Sequence, residues 1–263
     1  QTQQRLRAIL DNDVTVVCCT PTYALRMAEL AAQSGIDLAS TPIHATIQAG
    51  EPGASVPGIR ARIEQAYGAQ CHDHTGMTEL GATGFTCQER DGVHLIESEF
   101  IFEVIDPLTL QPVAAGEQGE LVATNLGRAG MPLIRYRTGD LVEINDSPCR
   151  CGRTFARLAG GILGRADDMV VVRGVNIFPS AIEGVLREFP EVSEFRIEVF
   201  SERSMVELRI LLEPLPGNER GLAEQVSDRL HDRLLLRVPC ELVAAGSLPR
   251  FDLKARRVIR RDS

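Results

Sequence analysis

The stretch LPRFDLKARR, residues 248–257, holds the single lysine of a chain whose Lys and Arg together number 28. An ammonium is a compact point charge on a flexible stem, whereas guanidinium is a planar, permanently charged fork. Lys254 therefore suits a phosphate or carboxylate that loses or shares charge during a reaction; a lysine left over by an arginine-biased composition is the other reading. HTGMTELG, residues 74–81, follows a strand-like run and turns through Gly76. That turn puts Thr75, Thr78 and Glu79 at a carboxyl edge of a sheet, where open α/β folds bind ligands. A hydroxyl and a carboxylate there could hold phosphate and a divalent ion such as Mg²⁺, which takes oxygen ligands and shares them with phosphates. A plain turn with a solvated glutamate fits the same residues. YRTGD, residues 136–140, ends a strand with a glycine turn and an acid. Asp140 so placed can accept both hydroxyls of a ribose, or can be ordinary turn chemistry. GRADDMVVVRG, residues 164–174, reads as a hinge between rigid elements, or as a static salt-bridged connector.

The cysteines make a separate pattern. Cys149 and Cys151 form a CRCG knuckle, while Cys87 and His94 flank the hairpin sequence QERDG. Hairpin partners face each other, so a thiolate and an imidazole could meet the knuckle as a closed Cys₃His structural zinc site. Buried, unbonded thiols are the alternative. Cys18, Cys19 and Cys240 sit in apolar runs and read as core.

These residues need a scaffold to position them. At 263 residues, 44% hydrophobic and 24% charged, the chain has room for two domains with cores of their own. It contains no apolar run of about 20 residues to span a bilayer, and its start lacks the pattern of a secretory signal. An odd cysteine count of seven without such a signal reads as reduced thiols in the cytoplasm. The net charge of −8 excludes a general nucleic-acid binder, although the tail from Arg250 to Arg261 is locally basic. Up to about Phe85 the order is that of βα units. RLRAILDN, PTYALRMAELAAQSG and IRARIEQAYG are helical, and VTVVCC, IHATIQA and the short AQCHDH are strands. Beyond it, HLIESEFIFEVID, GELVATNL and PLIRYRTGDLVEI alternate as an antiparallel sheet or barrel. A boundary near GILGRADD divides residues 1–163 from 164–263. The second part reads as a compact β-α-β-β-α-β module, with MVVVRGVNI as one strand and CELVAAGSL as the last.

Six segments, GEPG, TGMTE, GELV, YRTGD, GRADD with RGVNIFPSAIE, and LPRFDLKARR, occur in the order seen in the adenylate-forming acyl-CoA synthetase superfamily. The phrases MPLIRYRTGDL and GRADDMVVVRGVNIFPSAIE resemble in particular the phenylacetate-coenzyme A ligases, and the likeness runs from about Val14 to the end. The resemblance implies the C-terminal portion of a large AMP-binding domain, a parallel sheet plus an antiparallel sheet or barrel, followed by a mobile small α+β domain. It implies ATP, AMP, Mg²⁺ and coenzyme A as ligands. Glu79 would be the magnesium and phosphate residue with Thr78 beside the α-phosphate; Gly50, Glu51 and Pro52 would wall the adenine. Asp140 would bind the ribose, Arg165 would approach it from the other side, Asp167 would be the hinge, and Lys254 would bridge carboxylate and α-phosphate. Thr75 stands where the family usually has an aromatic residue at the adenine, and Leu253 where a glycine is common.

The expected activity is activation of an aromatic carboxylate, of arylacetate or benzoate type, and its transfer to coenzyme A, with Gly81 and Ala82 leaving room for a flat ring. The family's Ser/Thr/Gly-rich phosphate loop is not in this sequence, so a longer or split enzyme is expected, with the apolar strands covered by that missing N-terminal segment or by a homodimer partner. Loading of a carrier protein, amide formation, and a non-catalytic binding module are the alternatives.

Overall fold

A computed structural model describes residues 2–172, 175–202, 205–251 and 255–261. The chain divides into two compact units at Ala166 and Asp167, the second comprising 167–251 and the residues from 255 onward.

The first unit opens with helices and strands in alternation: α1 (Thr2–Asp11), β1 (Val16–Cys19), α2 (Pro21–Gln33), β2 (Ala45–Gln48), α3 (Pro57–Tyr67) and β3 (Gln70–Met77). Helix α2 starts where the Thr20 hydroxyl accepts from the Tyr23 N–H at 3.2 Å, with Pro21 at its first position. Proline again opens α3, and Gly68 closes it in the left-handed conformation. Leu6, Tyr23, Met27, Ile63 and Tyr67 from the three helices form one core with Val17 and Cys71 of the strands. The three strands pair in parallel, β1 with β2 and β2 with β3.

The expected short strand AQCHDH runs on through Met77. Its first half pairs parallel with β2, and its second half pairs antiparallel with β4 (Gly81–Phe85). The polar side chains of His72, Asp73 and His74 hide this continuity from hydrophobic alternation. Strands β5 (Val93–Leu95), β6 (Phe100–Ile105), β7 (Gln118–Asn125), β8 (Tyr136–Asn145), β9 (Arg157–Leu158) and β10 (Gly164–Arg165) complete a sheet in the order β1-β2-β3-β4-β5-β9-β8-β7-β6, with β10 on β8. Among the described residues the two ends, β1 and β6, do not pair. The antiparallel part is therefore an open sheet continuous with the parallel one.

The second unit holds β11 (Val170–Val172), β12 (Val175–Ile177), α4 (Pro179–Leu186), β13 (Val192–Glu202), β14 (Met205–Pro214), α5 (Leu222–Leu234), β15 (Cys240–Leu242) and β16 (Val258–Arg261). The run expected to be one strand, MVVVRGVNI, is two: β11 and β12 pair antiparallel. The last strand is not CELVAAGSL, whose regular part ends at Leu242, but β16 from the basic tail, which adds parallel to β13. The sheet order is β15-β14-β13-β16. Ile182 and Leu186 of α4 and Val226 and Leu230 of α5 share one core with Ile197, Ile210 and Leu212 of the sheet. The two-part organisation, mixed α/β followed by α+β, is the one the sequence leads one to expect. No helix among the described residues is long and apolar enough to cross a membrane.

The basic tail is matched by buried acids of its own unit. Arg250 pairs with Glu213, Arg257 with Glu194, and Arg261 with Glu198. Glu213 also accepts from the Leu248 N–H at 3.1 Å. Burial by itself would push the Glu213 carboxyl up, but hydrogen bonds from Arg250 and from the Gly246 and Leu248 N–H groups outweigh it and hold the group at about 2. A depressed carboxyl contributes stability above its unfolded value near 4.5 and loses it as pH falls toward 2. Denaturant titrations between pH 5 and pH 3 are expected to show stability falling by about 2 kcal/mol. That slope should be much shallower in Glu213→Gln; identical slopes would remove Glu213 from the account.

Candidate functional site

Strands β3 and β4 are joined by a three-residue turn, Thr78 to Leu80, with Thr78 exposed, Glu79 half-buried and Leu80 fully buried as its anchor. The connection between β7 and β8 folds onto this turn. An Arg128 Nη donates to the Glu79 carbonyl at 3.2 Å, and a Cβ at Gly81 would collide with the other terminal nitrogen. The space beside Gly81, expected to be open for a ring, is thus taken by a movable guanidinium; Ala82 is exposed. Thr75 is buried, its hydroxyl accepting from that of Thr83 at 3.1 Å against the Gly84 backbone. Sequence reading passed over Arg128 because GRAGM looks like a spacer.

Asp140 and Arg165 meet as register partners of β8 and β10. Arg165 Nη1 donates to Asp140 Oδ1 at 3.1 Å and to the Thr138 carbonyl at 2.8 Å. YRTGD does not end its strand in a turn as expected: β8 runs on to Asn145, and Gly139 lies at a bulge in its pairing with β7. Gly139, at φ +73°, sits under that guanidinium, and a Cβ there would come within 2.5 Å of it, so both the bulge and the ion pair require glycine. The support below is Glu120 of the GELV segment. It is buried, accepts from the Gly139 N–H at 3.1 Å, and takes a two-pronged contact from Arg137. Glu120 therefore positions the β8 bulge that presents Asp140, a role its segment alone does not announce.

The AGEPG loop is fastened differently. Glu51 Oε1 accepts from the Thr22 N–H at 2.7 Å at the start of α2, where a helix N-terminus favours negative charge. Gly50 and Pro52 lie on either side of that anchor. A few residues on, the Ser55 hydroxyl donates to Asp73 Oδ2 at 2.5 Å, while Asp73 Oδ1 accepts from the His74 N–H at 3.0 Å. Burial pushes the Asp73 carboxyl above its ordinary value in spite of these bonds. Gly161, between β9 and β10, closes on the same pair: a Cβ there would be 2.8 Å from the Ser55 hydroxyl and 3.0 Å from the Asp73 carboxylate. The junction ties the loop after Gly50, strand β3 and the approach to Arg165 together. Neither Ser55 nor Asp73 stands out in the sequence.

Asp167 is exposed and is the first residue of the second unit. Lys254 lies outside the described residues. The chain before and after it, up to Phe251 and from Ala255, is fixed within the second unit. Before it, Arg250 donates to both oxygens of Glu213 at 2.5 and 3.2 Å. After it, Arg257 donates to both oxygens of Glu194 at 2.6 and 3.1 Å, and its carbonyl accepts from the Ile197 N–H at 2.8 Å.

On another part of the first unit, Cys87, His94, Cys149 and Cys151 converge, one ligating atom from each lying within 4.8 Å of all the others.

Comparison with known proteins places this architecture. The family described as "AMP-binding enzyme C-terminal domain" matches residues 174–261. A solved 2-hydroxyisobutyryl-CoA ligase in the postadenylation state superimposes with a TM-score of 0.91 at 34% identity, over 99% of this chain and 57% of that one. Fold and family match together define the class, that of the adenylate-forming enzymes. The phenylacetate-coenzyme A ligase of Thermus thermophilus is 32% identical over 98% of this chain and 63% of its own length. That of Pseudomonas putida is 32% identical over 97% of the chain and 59% of its own. The chain is a portion of an adenylate-forming enzyme similar to the phenylacetate-coenzyme A ligases, and it spans about six-tenths of the length of these curated relatives.

Proposed function

We propose that this chain supplies the ribose, phosphate and lysine-bearing elements of an AMP-forming ligase that activates an aromatic carboxylate, of arylacetate or benzoate type, and passes the acyl group to coenzyme A. The observation that carries the reading is the Asp140–Arg165 pair over Gly139, a carboxylate and a guanidinium presented together at a bulge of β8 that Glu120 holds from below. Asp140 would accept the two ribose hydroxyls, with Arg165 above the sugar. Glu79 and Thr78 would face the phosphates, and a magnesium ion there would neutralise part of their charge. The backbone of Gly50, Glu51 and Pro52 would line the adenine, kept in place by the Glu51 cap on α2. The acid's oxygen attacks the α-phosphorus and pyrophosphate leaves; the coenzyme A thiol then attacks the acyl carbon and AMP leaves. An aromatic ring beside Gly81 requires Arg128 to swing outward, a movement of a flexible side chain rather than of backbone.

Asp140→Ala is expected to weaken binding of a non-reactive acyl-sulfamoyladenosine by about tenfold or more, since bonds to a charged acceptor contribute about 1.5–3 kcal/mol. Unchanged affinity in calorimetry would reject the ribose role. Acid-dependent AMP release should favour arylacetates and benzoates over 2-hydroxyisobutyrate. The reverse preference would leave the ligase chemistry standing and reject the aromatic substrate.

A further inference from the structure

We propose that Cys87, His94, Cys149 and Cys151 bind one structural Zn²⁺ that clamps the ends of two hairpins in the first unit. The distances carry this. A tetrahedral zinc with Zn–S near 2.3 Å and Zn–N near 2.0–2.1 Å sets its ligand atoms roughly 3.8 Å apart for two sulfurs and about 3.6 Å apart for sulfur and nitrogen. Cys87 Sγ and Cys149 Sγ are 3.8 Å apart, and Cys151 Sγ and His94 Nε2 are 3.4 Å apart. A disulfide would need about 2.05 Å, so these thiols are gathered without being bonded to one another.

The surroundings fix the ligands in the way a metal requires. His94 is fully buried, and its Nδ1 lies 3.1 Å from the Phe155 carbonyl. A proton on Nδ1 answers that carbonyl and leaves Nε2 as a lone pair aimed at the three sulfurs, the outer-shell arrangement that orients metal-bound imidazoles. Arg157 spans the two loops that carry the ligands. It donates to the Asp91 carbonyl at 2.9 Å on one side, and to the Ser147 carbonyl and hydroxyl at 3.1 and 3.0 Å on the other. Four protein ligands leave no open coordination position, so the ion has no place for substrate or water and its role is structural. It would join the chain after β4 and strand β5 to the loop between β8 and β9. The far end of β4 leads to the Glu79 turn, and Asp140 lies midway along β8.

The test is metal analysis of protein made in zinc-sufficient medium and purified without chelator. About one zinc per chain is expected, retained through dialysis against EDTA, with three of the seven cysteines unreactive to a thiol reagent until a mercurial or strong chelator releases the metal. Cobalt substitution should give the visible spectrum of a tetrahedral thiolate site. Cys151→Ser, at the most exposed of the four positions, should weaken zinc binding by about a hundredfold or more, one ligand's share of a structural site, and lower Tm. Removing zinc from the unmodified protein should lower Tm likewise, which covers the case of a variant that does not fold. Metal-free protein whose melting ignores added zinc would overturn the proposal. So would zinc that EDTA removes freely, or that Cys151→Ser and Cys149→Ser both retain in full.

Discussion

Replacing Lys254 with alanine is expected to slow acid-dependent adenylate formation on the order of a hundred- to thousandfold, while preformed acyl-adenylate is still converted to thioester at close to the normal rate. The asymmetry follows from charge. In adenylation a carboxylate must approach an already anionic α-phosphate, and a donor aimed at the developing charge contributes a factor of this size when water is excluded. In thioester formation the nucleophile meets a neutral acyl carbon, and that repulsion is absent. A point cation on a long stem suits the first step better than a guanidinium fork, so Lys254→Arg should recover little. The segment is also tied at both ends, through Arg250 to Glu213 and through Arg257 to Glu194, which limits the entropy lost in delivering the ammonium. Pyrophosphate exchange reads the first step, and thioester formation from synthetic adenylate reads the second. Equal loss in both would reject the assignment.

The second large effect concerns the downstream tie. Glu194 and Arg257 are each only 7% exposed and meet through two hydrogen bonds. The guanidinium also stacks 5.1 Å from the Phe195 ring and 5.8 Å from that of Phe251. Removing one member leaves the other charge buried without its partner, which costs about 3–5 kcal/mol. Glu194→Leu should therefore unfold the second unit at markedly lower urea. The double variant Glu194→Leu/Arg257→Met should recover most of that loss, because an apolar pair of similar volume avoids the desolvation. A single variant that costs under about 1 kcal/mol would show that the pair is not what holds the tail. Loss of adenylation in the refolded double variant would show in addition that the tie orients position 254 as well as stabilising its unit.

The tail illustrates where sequence reading stops. RRVIRR looks like a basic patch open to an acidic partner, because nothing local says what each arginine meets. Arg257 and Arg261 meet buried glutamates on β13, up to 63 residues away in sequence, while Arg256 and Arg260 are exposed, and the same segment supplies a strand. Only the paired sheet reveals that half of that charge is answered inside the unit.

The sequence by itself determined the features that depend on neighbours in the chain. The caps of α2 and α3 follow from Thr20, Pro21, Pro57 and Gly68, and the shift from βα units to alternating strands follows from hydrophobic period, whereas the glycine turns expected at Gly76 and Gly139 are strand positions, Gly76 within β3 and Gly139 at a bulge of β8. Cys87 and His94 likewise were readable as hairpin neighbours, although the register sets Phe85 opposite His94 and leaves Cys87 in the loop beyond β4. Tertiary structure alone decided that Glu120 supports Gly139, that Arg128 occupies the space at Gly81, that Ser55, Asp73 and Gly161 form one junction, and that β3 serves two sheet halves. Each of these is a contact between side chains or backbones distant along the chain, and a pairing of that kind leaves no periodicity, cap or turn residue for a local reading to find.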